Sequence, residues 1–168
     1  MPRRPGKHLM RRVEFAAALA AAFAIAGVRS RGFGAEQAYE VTHTDAQWLE
    51  LLGRERFDIL RRGGTEPAFS SPLISENRPG TYACAGCDLT LFSSKNKYNS
   101  RDGWPSFWTV LPNATRTQAD FDLMYARTEV HCGRCGGHLG HIFDDGPPPT
   151  YLRYCIDGLA LRFVPAAA

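Results

Sequence analysis

Five cysteines occupy two kinds of position in this chain, and their arrangement constrains the fold more than any other feature. Cys84 and Cys87 form one C-x-x-C pair, Cys132 and Cys135 form a second, and Cys155 stands alone. A glycine-containing C-x-x-C turn directs two thiolates to one point, and two such turns close a tetrahedral site. With 44 residues between the pairs, the pattern predicts a structural zinc ion held by four thiolates, with no open position for catalysis.

The four paired cysteines also allow two other interpretations. In an oxidising compartment they can form disulfides, and a C-x-x-C pair can act in thiol-disulfide exchange. The compartment therefore matters to the interpretation of these residues.

The amino-terminal segment, residues 1–34, is predicted to be a cleaved export signal. Arg11-Arg12 precedes an apolar run at 15–28, which is shorter than the roughly 20 residues of a membrane span. The arginine pair resembles a twin-arginine signal, and small residues favour cleavage before Ala35. We expect a periplasmic protein without a stable membrane span. An uncleaved amphipathic anchor and an organelle transit peptide are the alternatives.

The charge distribution argues against nucleic-acid binding. Residues 1–34 contain seven of the 20 basic residues and one of the 17 acidic residues, so the remainder has 13 basic and 16 acidic residues. A mildly acidic body lacks the basic surface that attracts phosphates. Residues 35–168 have the length of one domain with one core.

The body is predicted to be mainly β, with two antiparallel sheets and a short helical lead-in. Thr44 or Asp45 caps a helix with apolar residues at 46–52, and a second short helix at 54–61 stops at Gly63-Gly64. Short runs rich in aromatic and β-branched residues, separated by turn residues, then predict strands. These runs are residues 81–84, 89–92, 106–110, 121–126, 128–131, 138–143, 151–156 and 160–164.

Cys155 taken alone is typical of a buried core residue. Its surroundings point to chemistry instead. On a strand, Arg153 projects from the same face and can stabilise a thiolate. His138 and His141 can supply a proton to a leaving atom, and the adjacent Asp144-Asp145 can orient a histidine or shape a turn.

Six motifs carry a resemblance to a known family. They are GTEPAFSSP at 64–72, CAGC at 84–87, GWPSF at 103–107, RTEV at 127–130, HLGHIFDDG at 138–146 and LRYCI at 152–156. In this order they resemble the methionine-R-sulfoxide reductases of the B type, over roughly residues 44–165.

The resemblance implies catalytic roles for five residues. Cys155 would attack the sulfur of a methionine sulfoxide and become a sulfenic acid. His138 and His141 match the family's active-site histidines, which favour protonation of the sulfoxide oxygen. Arg153 would keep Cys155 reactive. Asp157 occupies a position where the family usually has asparagine, and a carboxylate there opposes the thiolate. The sequence therefore predicts that Asp157→Asn lowers the pKa of Cys155 and speeds sulfoxide reduction.

The resemblance also implies a substrate pocket. Trp104 matches the aromatic residue that packs against the methyl group of the substrate, and Phe143 would close the apolar side. Separate places for methyl and oxygen would discriminate between the two sulfoxide epimers.

One departure from the family concerns the return of Cys155 to its thiol. Many relatives carry a resolving cysteine two residues before the Trp of GWPSF, where this chain has Asp102. With four cysteines on zinc, an external donor such as thioredoxin or a thioredoxin-like protein would reduce the sulfenic acid. The alternative is that a paired cysteine resolves it at the cost of the zinc site.

Two functions of other classes remain open at this point. A zinc module exposing Trp104 and Phe107 would bind proteins without catalysis, with Cys155 in the core. A thiol-disulfide oxidoreductase would instead work through one C-x-x-C pair.

Overall fold

The computed structural model describes residues 38–121 and 125–167. The predicted export signal at 1–34 lies outside these ranges and stays a prediction. Within the described ranges, no helix combines the length and apolar character needed to cross a membrane.

A capped helix precedes the β-structure. Helix α1 spans Asp45–Arg62, and Thr44 and Gln47 form a capping box at its start, each side chain accepting a hydrogen bond from the other's backbone N–H. Gly53, with φ 70° and ψ 168°, breaks the helix. The two predicted helical segments are therefore the two sides of this break. Gly63 ends the helix in the left-handed conformation.

Nine strands follow in the described part of the chain. They are β1 (Gly80–Cys84), β2 (Thr90–Ser93), β3 (Lys97–Tyr98), β4 (Ser106–Phe107), β5 (Thr115–Asp120), β6 (Arg127–Cys132), β7 (His138–Phe143), β8 (Arg153–Ile156) and β9 (Leu161–Pro165). A three-stranded sheet has the order β2-β1-β9, and a six-stranded sheet has the order β3-β4-β8-β7-β6-β5. Every pairing is antiparallel. The predicted fold class is confirmed.

The core lies between the two sheets. Phe92 of the smaller sheet stacks on Phe107 of the larger one at 4.3 Å between ring centroids, and Tyr82 packs edge-on against Phe107 at 5.0 Å. Helix α1 adds Trp48 and Leu60, both buried. Aromatic pairs of this kind contribute about 0.5–1.5 kcal/mol beyond the area they bury.

Two strands, β3 and β5, were not predicted from the sequence. The apolar run at 121–126 predicts a strand whose residues 122–124 lie outside the described ranges, and β5 comes just before it. Phe121 and Tyr125 are exposed and lie outside any strand. The polar β5 pairs along its length with β6, so backbone pairing and not side-chain burial places this strand.

Close approach of β7 and β8 requires a glycine. A Cβ atom at Gly140, whose φ is 145°, would lie 2.1 Å from the carbonyl oxygen of Cys155. This position therefore lets the histidine-bearing strand run directly beside the strand of Cys155.

Candidate active site and metal centre

The four paired cysteines converge as their spacing predicts. Each pair forms a turn closed by the same hydrogen bond: the Asp88 N–H donates to the Cys84 carbonyl, and the Gly136 N–H donates to the Cys132 carbonyl, both at 2.9 Å. Asp88 and Gly136 both adopt positive φ, which completes the two turns. The turns follow β1 and β6, one from each sheet, so the cluster joins the two sheets.

The sulfur geometry fits a metal ion. All four Sγ atoms lie within 4.8 Å of one another, with 3.7 Å between Cys84 and Cys135 and 3.5 Å between Cys87 and Cys132. A disulfide needs about 2.05 Å, so none of these pairs is bonded. Four thiolates about 2.3 Å from a zinc ion would lie roughly 3.8 Å apart. The four cysteines are positioned to bind one tetrahedral metal ion.

Cys155 lies outside this cluster, in the middle of the larger sheet. It pairs with Ser106 on β4 and His141 on β7, and His141 in turn pairs with Glu129 on β6. Because directly opposed residues of neighbouring strands project from the same face, the antiparallel register places thiol, imidazole and carboxylate in one row. Arg153 and Phe143 form a second pair two residues along.

The nearest polar partner of the Cys155 thiol is Asp102, and the sequence did not reveal this. The Cys155 Sγ–H donates to Asp102 Oδ2 at 3.4 Å. Asp102 Oδ1 accepts from the Ser100 hydroxyl at 2.6 Å and the Trp104 N–H at 3.2 Å, which hold the carboxylate in place. The residue at the family's resolving position thus places a carboxylate in hydrogen-bonding contact with the thiol.

Burial and Asp102 together raise the pKa of Cys155 to about 12, because both disfavour the thiolate. Arg153 acts in the opposite direction, as expected, but its guanidinium also binds Asp102 and Asp145, the latter at 2.7 and 2.8 Å. The same guanidinium lies 4.4 Å from the centre of the Phe143 ring. Its charge is therefore shared among several partners, and Cys155 rests as a thiol at neutral pH.

The two histidines are each held by a carboxylate. His141 Nε2 bonds to Asp120 Oδ2 at 2.7 Å, and His138 Nδ1 bonds to Glu129 Oε1 at 2.6 Å. Burial lowers the pKa of His141, so its imidazole is neutral at neutral pH. Arg127 also binds Asp120, at 2.6 Å. These hydrogen bonds fix the orientation of both rings, and strand pairing places His141 directly beside Cys155.

Asp157 is buried directly after β8, the strand that carries Cys155. Its Oδ1 accepts the Glu66 N–H at 2.9 Å, and Glu66 in turn accepts the backbone N–H groups of Gly158 and Leu159. Trp104 Nε1 donates to the Glu66 carbonyl at 3.1 Å. Glu66 thus fixes the indole and the chain after Cys155 in one arrangement.

A small cavity of about 130 Å³ opens at Cys155. Its lining consists of Thr65, Trp104, Arg127, Gly140, His141, Phe143, Cys155 and Asp157. Five residues singled out from the sequence therefore meet there, and the other two, His138 and Arg153, lie directly behind the lining. Glu66, Arg127 and Glu129 lie inside the motifs that carry the family resemblance, but their contacts depend on strand register and were not predicted.

The structure argues against the two alternative functions, a protein-binding module without catalysis and a thiol-disulfide oxidoreductase. Phe107 is fully buried, so it offers no exposed surface for a protein partner. The four paired cysteines are mutually close, which suits a metal cluster better than one redox-active pair. Fold and site together define a β-domain with four cysteines positioned to bind a metal ion and a separate thiol in an aromatic-lined cavity, an arrangement suited to thiol chemistry.

The comparisons agree with this class. The SelR domain model matches residues 52–165. The chain is 48% identical over 126 residues to the peptide methionine sulfoxide reductase MsrB of Leptospira interrogans, covering 74% of this chain and 96% of the relative. The enzymes of the same name from Agrobacterium fabrum and Azotobacter vinelandii are 46% and 50% identical, covering 75% and 70% of this chain and 94% and 90% of the relatives. The chain belongs to the SelR domain family, the B-type methionine sulfoxide reductases.

Proposed function

We propose that this chain reduces methionine-R-sulfoxide in proteins or peptides to methionine, with Cys155 as the nucleophile and an external thiol as reductant. The observation that carries the proposal is the isolation of Cys155: it is the thiol in the cavity, while the other four cysteines form the metal cluster. Family membership supports the reaction type.

The first step transfers one oxygen atom. The sulfur–oxygen bond of the substrate breaks, and the oxygen ends on Cys155 as a sulfenic acid. The methionine sulfur gains the two electrons that the Cys155 sulfur loses, and the thiol proton ends on the sulfenic oxygen. Because Cys155 rests as a thiol, its proton needs an acceptor during attack, and Asp102 Oδ2 is already hydrogen-bonded to it.

The cavity offers different surroundings to the two substituents of the sulfoxide. Trp104 and Phe143 provide aromatic surface for the methyl group, whereas His141 and Asp157 are polar. Exchanging methyl and oxygen would leave both mismatched, since a polar oxygen against an aromatic face loses its hydrogen bonds. This division favours one epimer.

A peptide containing both epimers tests the function. With dithiothreitol, the protein is expected to convert the R-sulfoxide half and leave the S-sulfoxide half, as resolved by chromatography. Consumption of both epimers at equal rates, or of neither, would contradict the proposal.

An external thiol completes the cycle. Its attack on the Cys155 sulfenic acid forms a mixed disulfide and releases water, and a second thiol frees Cys155 as the donor becomes a disulfide. Asp102 cannot perform this attack, and the paired cysteines are committed to the metal cluster. Thioredoxin or a thioredoxin-like protein is the dithiol donor that suits this chemistry.

We assign zinc to the four-cysteine cluster. Cys84, Cys87, Cys132 and Cys135 supply four soft thiolate ligands at tetrahedral separations, which zinc prefers. Bound zinc would provide a cross-link between the two sheets and no catalytic step, because all four positions are filled by protein.

We also propose that the protein is exported, on the basis of the basic and apolar pattern of residues 1–34. Mass spectrometry of the protein from an exporting bacterial host should give a mature chain that begins near Ala35. A full-length chain in the cytoplasm would contradict export.

Asp102→Asn is expected to make Cys155 more reactive. The amide fits the same space, removes a negative charge beside the sulfur and can donate to a thiolate. We expect iodoacetamide to alkylate Cys155 about tenfold faster at pH 7, equivalent to one pKa unit.

Asp145→Asn is the matched control, because Asp145 also binds Arg153 but is exposed and makes no hydrogen bond to Cys155. Alkylation of this variant should stay close to that of the wild type. Equal rates for Asp102→Asn and the wild type would show that Asp102 does not control the thiol.

A further inference from the structure

Asp157 and His138 face each other in the interior with no donor placed between them. Asp157 is 3% exposed and His138 is 6% exposed. His138 Nε2 is buried without a hydrogen-bond partner among the described residues, and it lies 3.9 Å from Asp157 Oδ2. Because His138 Nδ1–H donates to Glu129, the Nε2 atom of a ring that carries a single proton is an acceptor.

This arrangement needs a proton. A carboxylate oxygen and an imidazole lone pair are both acceptors, and two facing acceptors in a buried site repel each other. One proton, on Asp157 or on His138, turns the repulsion into attraction. Asp157 Oδ1 is unsuited to carry this proton, since it accepts the Glu66 N–H.

Asp157 also reaches the substrate cavity. It lines the same space as Cys155 and Trp104, whereas His138 lies behind it. His141 and Arg127, also in the lining, both bind Asp120. A proton on Asp157 Oδ2 can be donated to His138 Nε2 while the cavity is empty, and in its place to an oxygen bound in the cavity.

We propose that Asp157 works as a neutral carboxylic acid, whose O–H is donated to the sulfoxide oxygen of the bound substrate. The inference rests on the proposed function and deepens it. It gives Asp157 the donor role that an amide would have at the same position, but only while the carboxyl is protonated.

The charges around Asp157 set the pH range of this donor. The titratable and charged groups around it are Glu66 from the segment between α1 and β1, His138 and His141 from β7, Arg127 from β6 and Cys155 from β8. Glu129 of β6 is hydrogen-bonded to His138 on the far side of that ring. Burial raises the pKa of Asp157 to about 6, and the Glu66 charge adds to the increase, while the Glu66 N–H and His138 oppose it. The carboxyl is thus neutral below about pH 6 and loses its donor above.

Asp157→Asn tests the proposal because an amide donates at every pH. Its Oδ1 can still accept the Glu66 N–H, so the fold should persist. The ratio of kcat/KM for an R-sulfoxide peptide, variant over wild type, should be constant below pH 6 and rise up to about tenfold per pH unit above it. Taking the ratio cancels the pH dependence common to both proteins.

Alkylation separates this role from a simple charge effect. In alkylation the Cys155 thiolate displaces iodide from iodoacetamide and no oxygen has to be protonated, so the rate ratio reports only how the charge of Asp157 changes the reactivity of Cys155. At pH 8 we expect the ratio for sulfoxide reduction to exceed the ratio for alkylation by tenfold or more. Agreement of the two ratios at every pH would overturn the proposal.

Two controls complete the experiment. Glu50→Gln removes an exposed carboxylate of helix α1 that lies outside the cavity lining, and its ratio should stay near one at every pH. If Asp157→Asn does not fold, NMR titration of wild-type protein carrying ¹³C-labelled aspartate should show one buried carboxyl titrating near pH 6. Its absence would equally overturn the inference. Failure of the proposed function would instead appear as no R-sulfoxide reduction by the wild type.

Discussion

Cys155→Ser is expected to abolish sulfoxide reduction. A serine hydroxyl cannot take up the oxygen as a sulfenic acid, and no other cysteine lines the cavity. We expect kcat/KM for an R-sulfoxide peptide with dithiothreitol to fall by roughly 10³-fold or more, to the background rate. The measurement is the rate of methionine formation, with bound metal and the melting temperature recorded for the same sample.

The intermediate provides a second measurement of the same prediction. Wild-type protein given substrate without thiol should form about one methionine per chain and retain a sulfenic acid at Cys155, which dimedone labels. The label should persist because the chain lacks a resolving cysteine near Cys155. Methionine formation by Cys155→Ser at the wild-type rate would eliminate Cys155 as the nucleophile.

Cys132→Ser is expected to unfold the domain. Cys132 is fully buried at the junction of the two sheets, and a serine hydroxyl is a poor zinc ligand. Structural zinc contributes an apparent binding free energy of about 10–16 kcal/mol, which matches or exceeds the roughly 5–15 kcal/mol stability of a typical domain. We therefore expect loss of zinc, measured by elemental analysis, together with loss of the cooperative thermal transition.

The fifth cysteine is the matched control for this experiment. Cys155→Ser makes the same chemical change in the same chain but outside the cluster, so it should keep one zinc per chain and a melting temperature close to that of the wild type. A folded, zinc-containing Cys132→Ser protein would contradict the structural role of the cluster. Loss of zinc from Cys155→Ser would contradict the separation of the two sites.

Local features of the sequence predicted much of the fold. Thr44 at the start of α1 and Gly63 at its end act through contacts within a few residues, so their spacing alone predicts the helix. The two C-x-x-C turns are likewise local. The polar β5 was not predicted, because it is held by its partner strand and lacks the apolar pattern of a buried strand.

The candidate site depended on contacts that are distant in sequence. Cys155, His141, Trp104 and Phe143 were identified from motifs and do meet at the cavity. Asp102 was recognised only as a missing cysteine. Its hydrogen bond to the Cys155 thiol was not predicted, because 53 positions separate the two residues in the sequence. The bond between His138 and Glu129 follows from the register of β6 and β7, which no local pattern specifies.

The sequence by itself determined the division of the cysteines into four and one, since the spacing within each turn dictates where its thiols point. It also determined that Cys155 has no resolving partner at position 102. Only the tertiary structure decided the state of Cys155, because the pKa of a thiol depends on burial and on every charge within a few ångströms. The pairing of β4, β7 and β8 brings those charges together, and it makes Asp102, more than Asp157, the carboxylate that opposes the thiolate.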